Sequence, residues 1–252
     1  MELGEELLRL GSADNFRDLT GPGLRTADGR ALRPGLVYRS SELALSEEDA
    51  ATVAGLGVTA ILDLRHAEEI DAHPDVEVAG ATWEHHEIPG IPMERVAALE
   101  TPELADALML DVYRGFVRHP GARAAFAAVL ERVASADAPL VFHCTAGKDR
   151  TGWASLLMLS VCGVPLDAIR ADYLLSNARS RSTRDKYLGL VREHLGEDKV
   201  EVYERVMVVD DRYLDAGLDV LAADYGSLEA YVDEGLRLDR ATLDALRARL
   251  VS

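Results

Sequence analysis

The chain has 252 residues, of which 48% are hydrophobic, and it carries a formal net charge of −17 at pH 7. A chain of this length can bury a substantial core, and we predict a single domain over residues 1–252. The acidic balance argues against a nucleic-acid partner, because such binding needs clustered basic charge. No apolar run reaches the length of a membrane-spanning helix, so we expect no integral membrane segment.

The cysteine count and the first residues indicate a reducing compartment. Cys144 and Cys162 are the two cysteines, which is too few for a disulfide framework. The first six residues, Met1-Glu2-Leu3-Gly4-Glu5-Glu6, are acidic and lack the basic start of a secretory signal. We therefore expect a cytoplasmic protein and leave signal-independent export open. The composition does not predict an oligomeric state.

Hydrophobic patterns in chain order predict strands that alternate with helical segments. Residues 12–35 are rich in Gly, Asp and Arg and predict loops with one hairpin. The predicted strands are 36–38, 59–64, one within 76–88, and 140–144. The first predicted helix starts at a capping-box sequence at 46–49 and ends near residue 55. Further helices are predicted over 68–71, over 103–133 with a break at 119–121, and over 153–162. From there to the end of the sequence, we predict helices only. This order predicts one α/β domain with a helical C-terminal part.

The segment from His143 to Gly152 carries the chemistry. It follows an apolar run that predicts a buried strand and opens an apolar helix, with Cys144 and Arg150 flanking five residues. Backbone N–H groups of such a loop converge on anionic oxygens, and the helix N-terminus adds partial positive charge. The same field favours a cysteine thiolate. Arg150 offers a planar fork for two phosphate oxygens, and Thr151 can donate to the cysteine sulfur.

The chain resembles the cysteine-dependent protein tyrosine phosphatases, since His143 precedes the cysteine and Gly147 lies in the loop. It resembles more closely the bacterial tyrosine/serine protein phosphatase family, which shares the core Gly147-Lys148-Asp149-Arg150-Thr151-Gly152. Asn15-Phe16-Arg17-Asp18-Leu19 is similar to that family's N-terminal signature, although Thr20 stands where a glycine is usual. The similar segments 35–40, 61–65 and 225–229 extend the likeness over nearly the whole chain. The resemblance implies a tyrosine-phosphatase-like central sheet flanked by helices, and helices after the core that form a lid.

The resemblance and the loop chemistry together suggest roles for individual residues. Cys144 is the expected nucleophile, and Thr151 assists it. Asp149 is the favoured proton donor, with Asp63 as the rival acid; each has a structural alternative, as a helix cap or ion-pair partner. His143 is expected to orient the loop, and Lys148 either contacts substrate or holds Asp149. The expected phosphate-binding residues are Thr145, Ala146, Gly147, Lys148 and Arg150.

Three functions remain open on the sequence. The first is hydrolysis of phosphotyrosine, with phosphoserine and phosphothreonine as further substrates, through a cysteinyl-phosphate and without cofactor or metal. The second is a phosphoinositide phosphatase, which Lys148 and the basic cluster over 179–192 favour and the net charge disfavours. The third is a phosphate-binding pseudophosphatase, which the presence of Cys144, Arg150 and nearby acids disfavours. The basic cluster itself is either a solvated face or an anion-attracting rim; it comprises Arg179, Arg181, Arg184, Lys186 and Arg192.

Overall fold

A computed structural model describes residues 9–21, 23–91 and 93–252. Its centre is a five-stranded sheet with the order β1-β2-β5-β3-β4. β1 is antiparallel to β2, and the other pairs are parallel. Because the carboxyl ends of parallel strands share one edge, the loops after β2, β3, β4 and β5 meet there. The strands are β1 (Arg17–Asp18), β2 (Val37–Ser40), β3 (Ala60–Asp63), β4 (Thr82–His85) and β5 (Leu140–His143).

Helices cover the sheet and form the entire C-terminal part. The α/β architecture expected from the sequence is confirmed, including the helical region after the catalytic-type loop. The helices are α1 (Glu47–Gly55), α2 (Ala67–Ala72), α3 (Met93–Ala97), α4 (Pro102–Arg118), α5 (Pro120–Ala134), α6 (Asp149–Val161), α7 (Leu166–Arg179), α8 (Arg181–Leu195), α9 (Glu197–Met207), α10 (Asp211–Tyr225), α11 (Leu228–Ala230) and α12 (Arg240–Leu250), with a π-helical turn at Tyr231–Gly235.

Alternation along the strands builds a core on each face of the sheet. Leu140 and Phe142 of β5 pack with the large helical layer, in the same cluster as residues of α4, α5, α6 and α10. Val141 points to the other face and packs in a smaller cluster with Val53 of α1. Because successive side chains of a strand point to opposite faces, both faces of the sheet are apolar, and helices pack on each of them. This is the arrangement expected for a mostly parallel sheet. Among the described helices, none combines the length and apolarity needed to cross a bilayer.

Local signals set several helix ends. Ser46 accepts from the Asp49 backbone N–H at 3.2 Å and caps α1, but the Asp49 carboxylate binds Ser12 instead of closing the predicted capping box. His119 precedes Pro120 and adopts an extended conformation, which separates α4 from α5. α6 begins at Asp149, four residues before the predicted start at Trp153, because the second half of the catalytic-type loop is already its first turn.

Candidate active site

The loop between β5 and α6 places a sulfur at the N-terminus of a buried helix. Cys144 follows β5 directly and is 2% exposed. The Thr151 hydroxyl lies in the first turn of α6 and donates to Cys144 Sγ at 3.2 Å, the contact that the spacing predicts. Among the described residues, no protein acceptor lies in hydrogen-bonding position for the backbone N–H groups of residues 145–148. The loop therefore presents unpaired donors beside the sulfur, at the positive end of a helix dipole.

Both the backbone conformation at position 147 and the lack of room for a side chain there require glycine. Its φ is +63°, in the left-handed region that favours glycine. A Cβ at this position would lie 2.4 Å from the carbonyl oxygen of Ser40 and 2.6 Å from the nitrogen of Ser41. Since both are backbone atoms at the end of β2, the loop can approach the sheet this closely only with glycine here.

Residues of the N-terminal signature and of β2 bind the backbone of the loop. The carbonyl of Gly147 accepts from Asn15 Nδ2 at 2.6 Å and from Arg39 Nη2 at 2.9 Å. Because carbonyl and amide point in opposite directions across a trans peptide, these donors turn the Lys148 N–H away from themselves. Arg39 is fully buried and pairs with Asp172 at 2.9 Å, and Arg17 pairs with the same carboxylate at 2.9 Å. Asn15 and Arg39 thus bind the loop from 132 and 108 positions away in the chain, and Arg17 is bonded to Asn15 and Asp172 rather than to the loop.

Thr20 replaces the usual glycine without loss of the local turn. Its backbone N–H and its hydroxyl both donate to Asp18 Oδ1 at 2.8 Å. The other oxygen of Asp18 accepts from the Gly35 N–H at 2.5 Å. The substituted side chain therefore adds a hydrogen bond to the carboxylate that organises this turn.

Glu69 is the main site residue that the sequence pattern did not predict. It lies in α2 and binds Arg150 through two hydrogen bonds of 2.7 Å, and the Thr145 hydroxyl also donates to it. Burial opposes ionisation of Glu69, but hydrogen bonds and positive charge from Arg150 lower its pKa to about 2. Gly90 closes the other side, since a Cβ there would lie 3.0 Å from Arg150 Cζ. The guanidinium is consequently held in one orientation beside the loop.

One signal in the sequence could have drawn attention to Glu69. It lies six residues after Asp63, in a short acidic segment that follows a predicted strand. β3 lies beside β5 in parallel, so the segment after β3 reaches the same edge as Cys144. The order of the strands in the sheet makes β3 and β5 neighbours, and the local sequence pattern does not predict that order.

Asp149 is held by two partners at the start of α6. Its Oδ1 accepts from the Tyr113 hydroxyl at 2.9 Å, and its Oδ2 accepts from Lys148 Nζ at 2.5 Å. Tyr113 also bonds the Tyr173 hydroxyl at 2.7 Å, so two tyrosines of α4 and α7 buttress the carboxylate. Burial, followed by the negative charge of Asp149, raises the pKa of Tyr113, which therefore stays a donor. Of the two roles left open for Lys148, the structure favours holding Asp149.

Asp63 has the contacts of an ion-pair partner, which is the structural alternative to a proton donor. It is fully buried, and Arg65 donates to both of its oxygens, with Nη2 to Oδ2 at 2.8 Å. Burial opposes its ionisation, but the hydrogen bonds from Arg65 lower its pKa to about 2. A buried carboxylate that is ionised and saturated in this way has no proton to give at neutral pH. These contacts fit the structural alternative for Asp63 better than the role of a proton donor.

His143 completes the polar group beneath the loop. Its Nε2 lies 2.9 Å from Asp75 Oδ2 and 4.0 Å from Asp63 Oδ1. These three side chains are close enough to offer ligands to a cation. However, Arg65 Nη2 already lies within 2.9 Å of both carboxylates and supplies the positive charge that a metal would bring. The group forms a buried ion-pair network that fixes the end of β5.

The second cysteine lies outside this site. Cys162 follows the end of α6 and is buried as a free thiol. Burial raises its pKa to about 12, so it stays protonated and unreactive at neutral pH. This placement agrees with a core role.

The basic cluster does not form one continuous rim. Arg192 pairs with Glu197 at 2.6 Å, and the exposed Arg181 lies 3.6 Å from Asp185. Arg179 differs from both because it is buried. The helical region instead meets the loop at the end of α9, where Lys148 Nζ donates to the carbonyl of Val208 at 3.5 Å.

Comparison with known proteins gives consistent matches. A tyrosine-phosphatase-like chain of Cupriavidus necator, whose name assigns it to the tyrosine-protein phosphatases, is 36% identical over 250 residues and covers 95% of this chain and 88% of its own. The triple specificity protein phosphatase PtpB of Mycobacterium tuberculosis is 30% identical over 279 aligned positions, covering 96% of this chain and 98% of PtpB. Among solved structures, TpbA of P. aeruginosa covers 74% of this chain and 86% of its own at 16% identity, with a TM-score of 0.34.

The profile of the tyrosine phosphatase family matches residues 8–252. The match covers nearly the whole chain and includes both the N-terminal signature and the Cys144–Arg150 loop. With the C. necator and M. tuberculosis relatives, it agrees with the resemblance inferred from the motifs alone. The chain belongs to the tyrosine phosphatase family, and it is a phosphoric monoester hydrolase of the cysteine-dependent type.

Proposed function

We propose that the chain hydrolyses phosphotyrosine in proteins, with phosphoserine and phosphothreonine as further substrates. One observation carries the proposal: the Cys144 sulfur accepts a hydrogen bond from Thr151 at the N-terminus of a buried helix. Beside it lie a guanidinium held by Glu69 and four amides that have no acceptor among the described residues. Such an arrangement binds a tetrahedral dianion and presents a nucleophile to its phosphorus atom. The name of the M. tuberculosis relative, a triple specificity phosphatase, supports the broader substrate range.

In the first proposed step, the Cys144 thiolate attacks phosphorus and the ester P–O bond breaks. The proposal takes Asp149 in its protonated form in the enzyme–substrate complex, where it gives its proton to the leaving oxygen, which departs as the tyrosine hydroxyl. The amides of residues 145–148 and Arg150 stabilise the three equatorial oxygens of the transferring group. The product of this step is a cysteinyl-phosphate and an ionised Asp149.

In the second proposed step, water attacks the cysteinyl-phosphate and the S–P bond breaks. The ionised Asp149 accepts a proton from the water, which restores the acid for the next cycle. Thr151 donates its hydroxyl to the departing sulfur, using the 3.2 Å contact already present in the structure. Inorganic phosphate leaves, and the enzyme returns to its starting state.

The deciding experiment uses Cys144→Ser with Cys162→Ser as its matched control. Cys144→Ser is expected to abolish turnover of para-nitrophenyl phosphate and phosphotyrosine peptide while still binding phosphate, whereas Cys162→Ser retains activity. Rapid quench and mass spectrometry of the wild type should find phosphate on Cys144. Activity that survives in Cys144→Ser contradicts the covalent mechanism. A wild type that binds phosphotyrosine peptide without turnover is a pseudophosphatase, and full dependence on added metal points to another chemistry.

A further inference from the structure

A buried arginine at the junction of α7 and α8 has no counter-ion within the described part of the chain. Arg179 is the last residue of α7 and is 8% exposed. Its Nε, Nη1 and Nη2 are all covered, yet none has a hydrogen-bond partner among the described residues. Burying an unpaired charge is costly, and buried polar groups are normally bonded. An arginine with three unbonded nitrogens therefore indicates a missing acceptor.

Two neighbours at the same junction show the same deficit. Ser180 Oγ and Arg184 Nε are also buried without a hydrogen-bond partner in the described ranges, although Asp185 Oδ1 lies 3.9 Å from Arg184 Nε. Arg184 is nevertheless held at the junction, because its Nη1 donates to the carbonyl of Asn177 at 3.3 Å. The unsatisfied groups are donors, so an acceptor with several oxygens is the chemical complement.

The surrounding charge is positive, although the chain as a whole is strongly acidic. Arg17 and Arg39, both buried, share the single carboxylate of Asp172. Ser176, one turn before Arg179, lies 3.4 Å from Arg17 Nη2, so the two arginines approach the same face of α7. Burial lowers the pKa of Arg179, the charges of Arg9 and Arg17 lower it further, and Asp172 opposes them. The buried carboxylate that acts on Arg179 is thus already paired with Arg17 and Arg39, and Asp185, the carboxylate near Arg184, is largely exposed.

We propose that the α7–α8 junction binds a tetrahedral oxyanion of the phosphate or sulfate class, held by the Arg179 guanidinium, the Ser180 hydroxyl and Arg184 Nε. A guanidinium fork matches two oxygens of such an anion, and the N-terminus of the 15-residue α8 adds partial positive charge. The site is distinct from the catalytic loop, which uses Arg150. It does not depend on turnover at Cys144, so its test separates it from the proposed function.

The test is a titration of the full chain with inorganic sulfate, followed by backbone amide NMR. We expect two groups of shifting amides, one over residues 144–151 and one over 176–184. Arg179→Met should abolish the second group, with affinity there reduced about tenfold or more, because charge-assisted bonds are lost. The first group should persist. Arg181→Met is the matched control, since it removes the same charge from a side chain that is 76% exposed, and both groups should remain.

Two outcomes overturn the proposal. One is the absence of sulfate-dependent shifts over 176–184, or their persistence in Arg179→Met. The other is binding that emerges only in the Glu2→Gln, Glu5→Gln, Glu6→Gln triple variant, which would mean that acidic residues of the chain itself neutralise Arg179. A second titration with O-phosphoserine identifies the source of the anion. Shifts with both probes support a site open to an esterified phosphate, and shifts with sulfate alone support a free anion.

Discussion

Arg150 and Glu69 are joined by two parallel hydrogen bonds of 2.7 Å, between the terminal nitrogens of the guanidinium and both carboxylate oxygens. Burial opposes the charge on Arg150, but the bonds to Glu69 raise its pKa above its ordinary value. The pair therefore keeps a permanently charged, oriented fork beside Cys144. Glu69 acts through Arg150, which makes it a positioning residue for the proposed reaction.

Glu69→Gln is expected to lower kcat/KM on phosphotyrosine peptide by about 100-fold, because a misplaced catalytic group costs about that factor. The glutamine keeps the size of the side chain but loses the charge that orients Arg150. Steady-state kinetics with a circular dichroism check of folding would measure it. Glu68→Gln, at an exposed neighbouring position of α2, is the control and should stay within about twofold of the wild type. Equal kinetics for both variants would mean that Arg150 is oriented by other contacts.

Asp149→Asn is expected to lose most activity on substrates with a basic leaving oxygen. A general acid is typically worth roughly 100- to 10,000-fold, and that benefit matters little for para-nitrophenolate, which leaves unaided. The asparagine variant should therefore lose far more on phosphoserine peptide than on para-nitrophenyl phosphate. Rates on both substrates, measured across pH, give the comparison.

Asp63→Asn is the matched control for the proton-donor assignment. It should show no dependence on the leaving group, because Asp63 is buried and bonded to Arg65. If Asp63→Asn shows that dependence and Asp149→Asn does not, the assignment of the donor is wrong. If neither variant shows it, the proton comes from substrate or water.

Asp63 is also expected to stabilise the fold in a defined pH range. Its pKa falls from 3.8 to about 2 on folding, so its contribution is complete above about pH 4 and is lost as the pH falls to about 2. The shift corresponds to roughly 2 kcal/mol at neutral pH. Urea unfolding of Asp63→Asn should show this loss at pH 7 and a flatter decline between about pH 4 and pH 2. The exposed Asp219→Asn is the control, and an Asp63→Asn curve that parallels the wild type at every pH would contradict the assignment.

Gly147→Ala is expected to disable the loop. The new Cβ would meet backbone atoms at 2.4 Å, in a conformation with positive φ, so the loop must move away from the end of β2. We expect activity to fall by more than about 100-fold, with a loss of stability of more than about 1 kcal/mol. Gly55→Ala is the control: Gly55 lies in a helix, a Cβ added there would have nothing within 4 Å, and the variant should be neutral or stabilising. Wild-type kinetics in Gly147→Ala would show that the close approach is dispensable.

The sequence by itself determined the chemistry of the loop. Cys144, Arg150 and Thr151 lie within one strand–loop–helix unit, where spacing alone decides which atoms meet. The predicted Thr151–Cys144 contact is therefore present. The alternation of strand and helix patterns likewise predicted an α/β domain with a helical C-terminal part, because each period reports a local conformation.

Tertiary structure alone decided what holds that loop. Glu69, Tyr113 and Asn15 reach it from 36 to 132 positions away, and their approach follows from the order of β2, β5 and β3 and from how α4 packs on α6. The same applies to the two candidate acids. The sequence favours Asp149 and leaves Asp63 as its rival. Only the fold shows that Arg65 binds Asp63 beneath the sheet edge, whereas Tyr113 and Lys148 bind Asp149 at the loop. A local sequence pattern predicts the conformation of its own segment. Which residue pairs with a charged side chain depends instead on which distant strands and helices become neighbours in the fold.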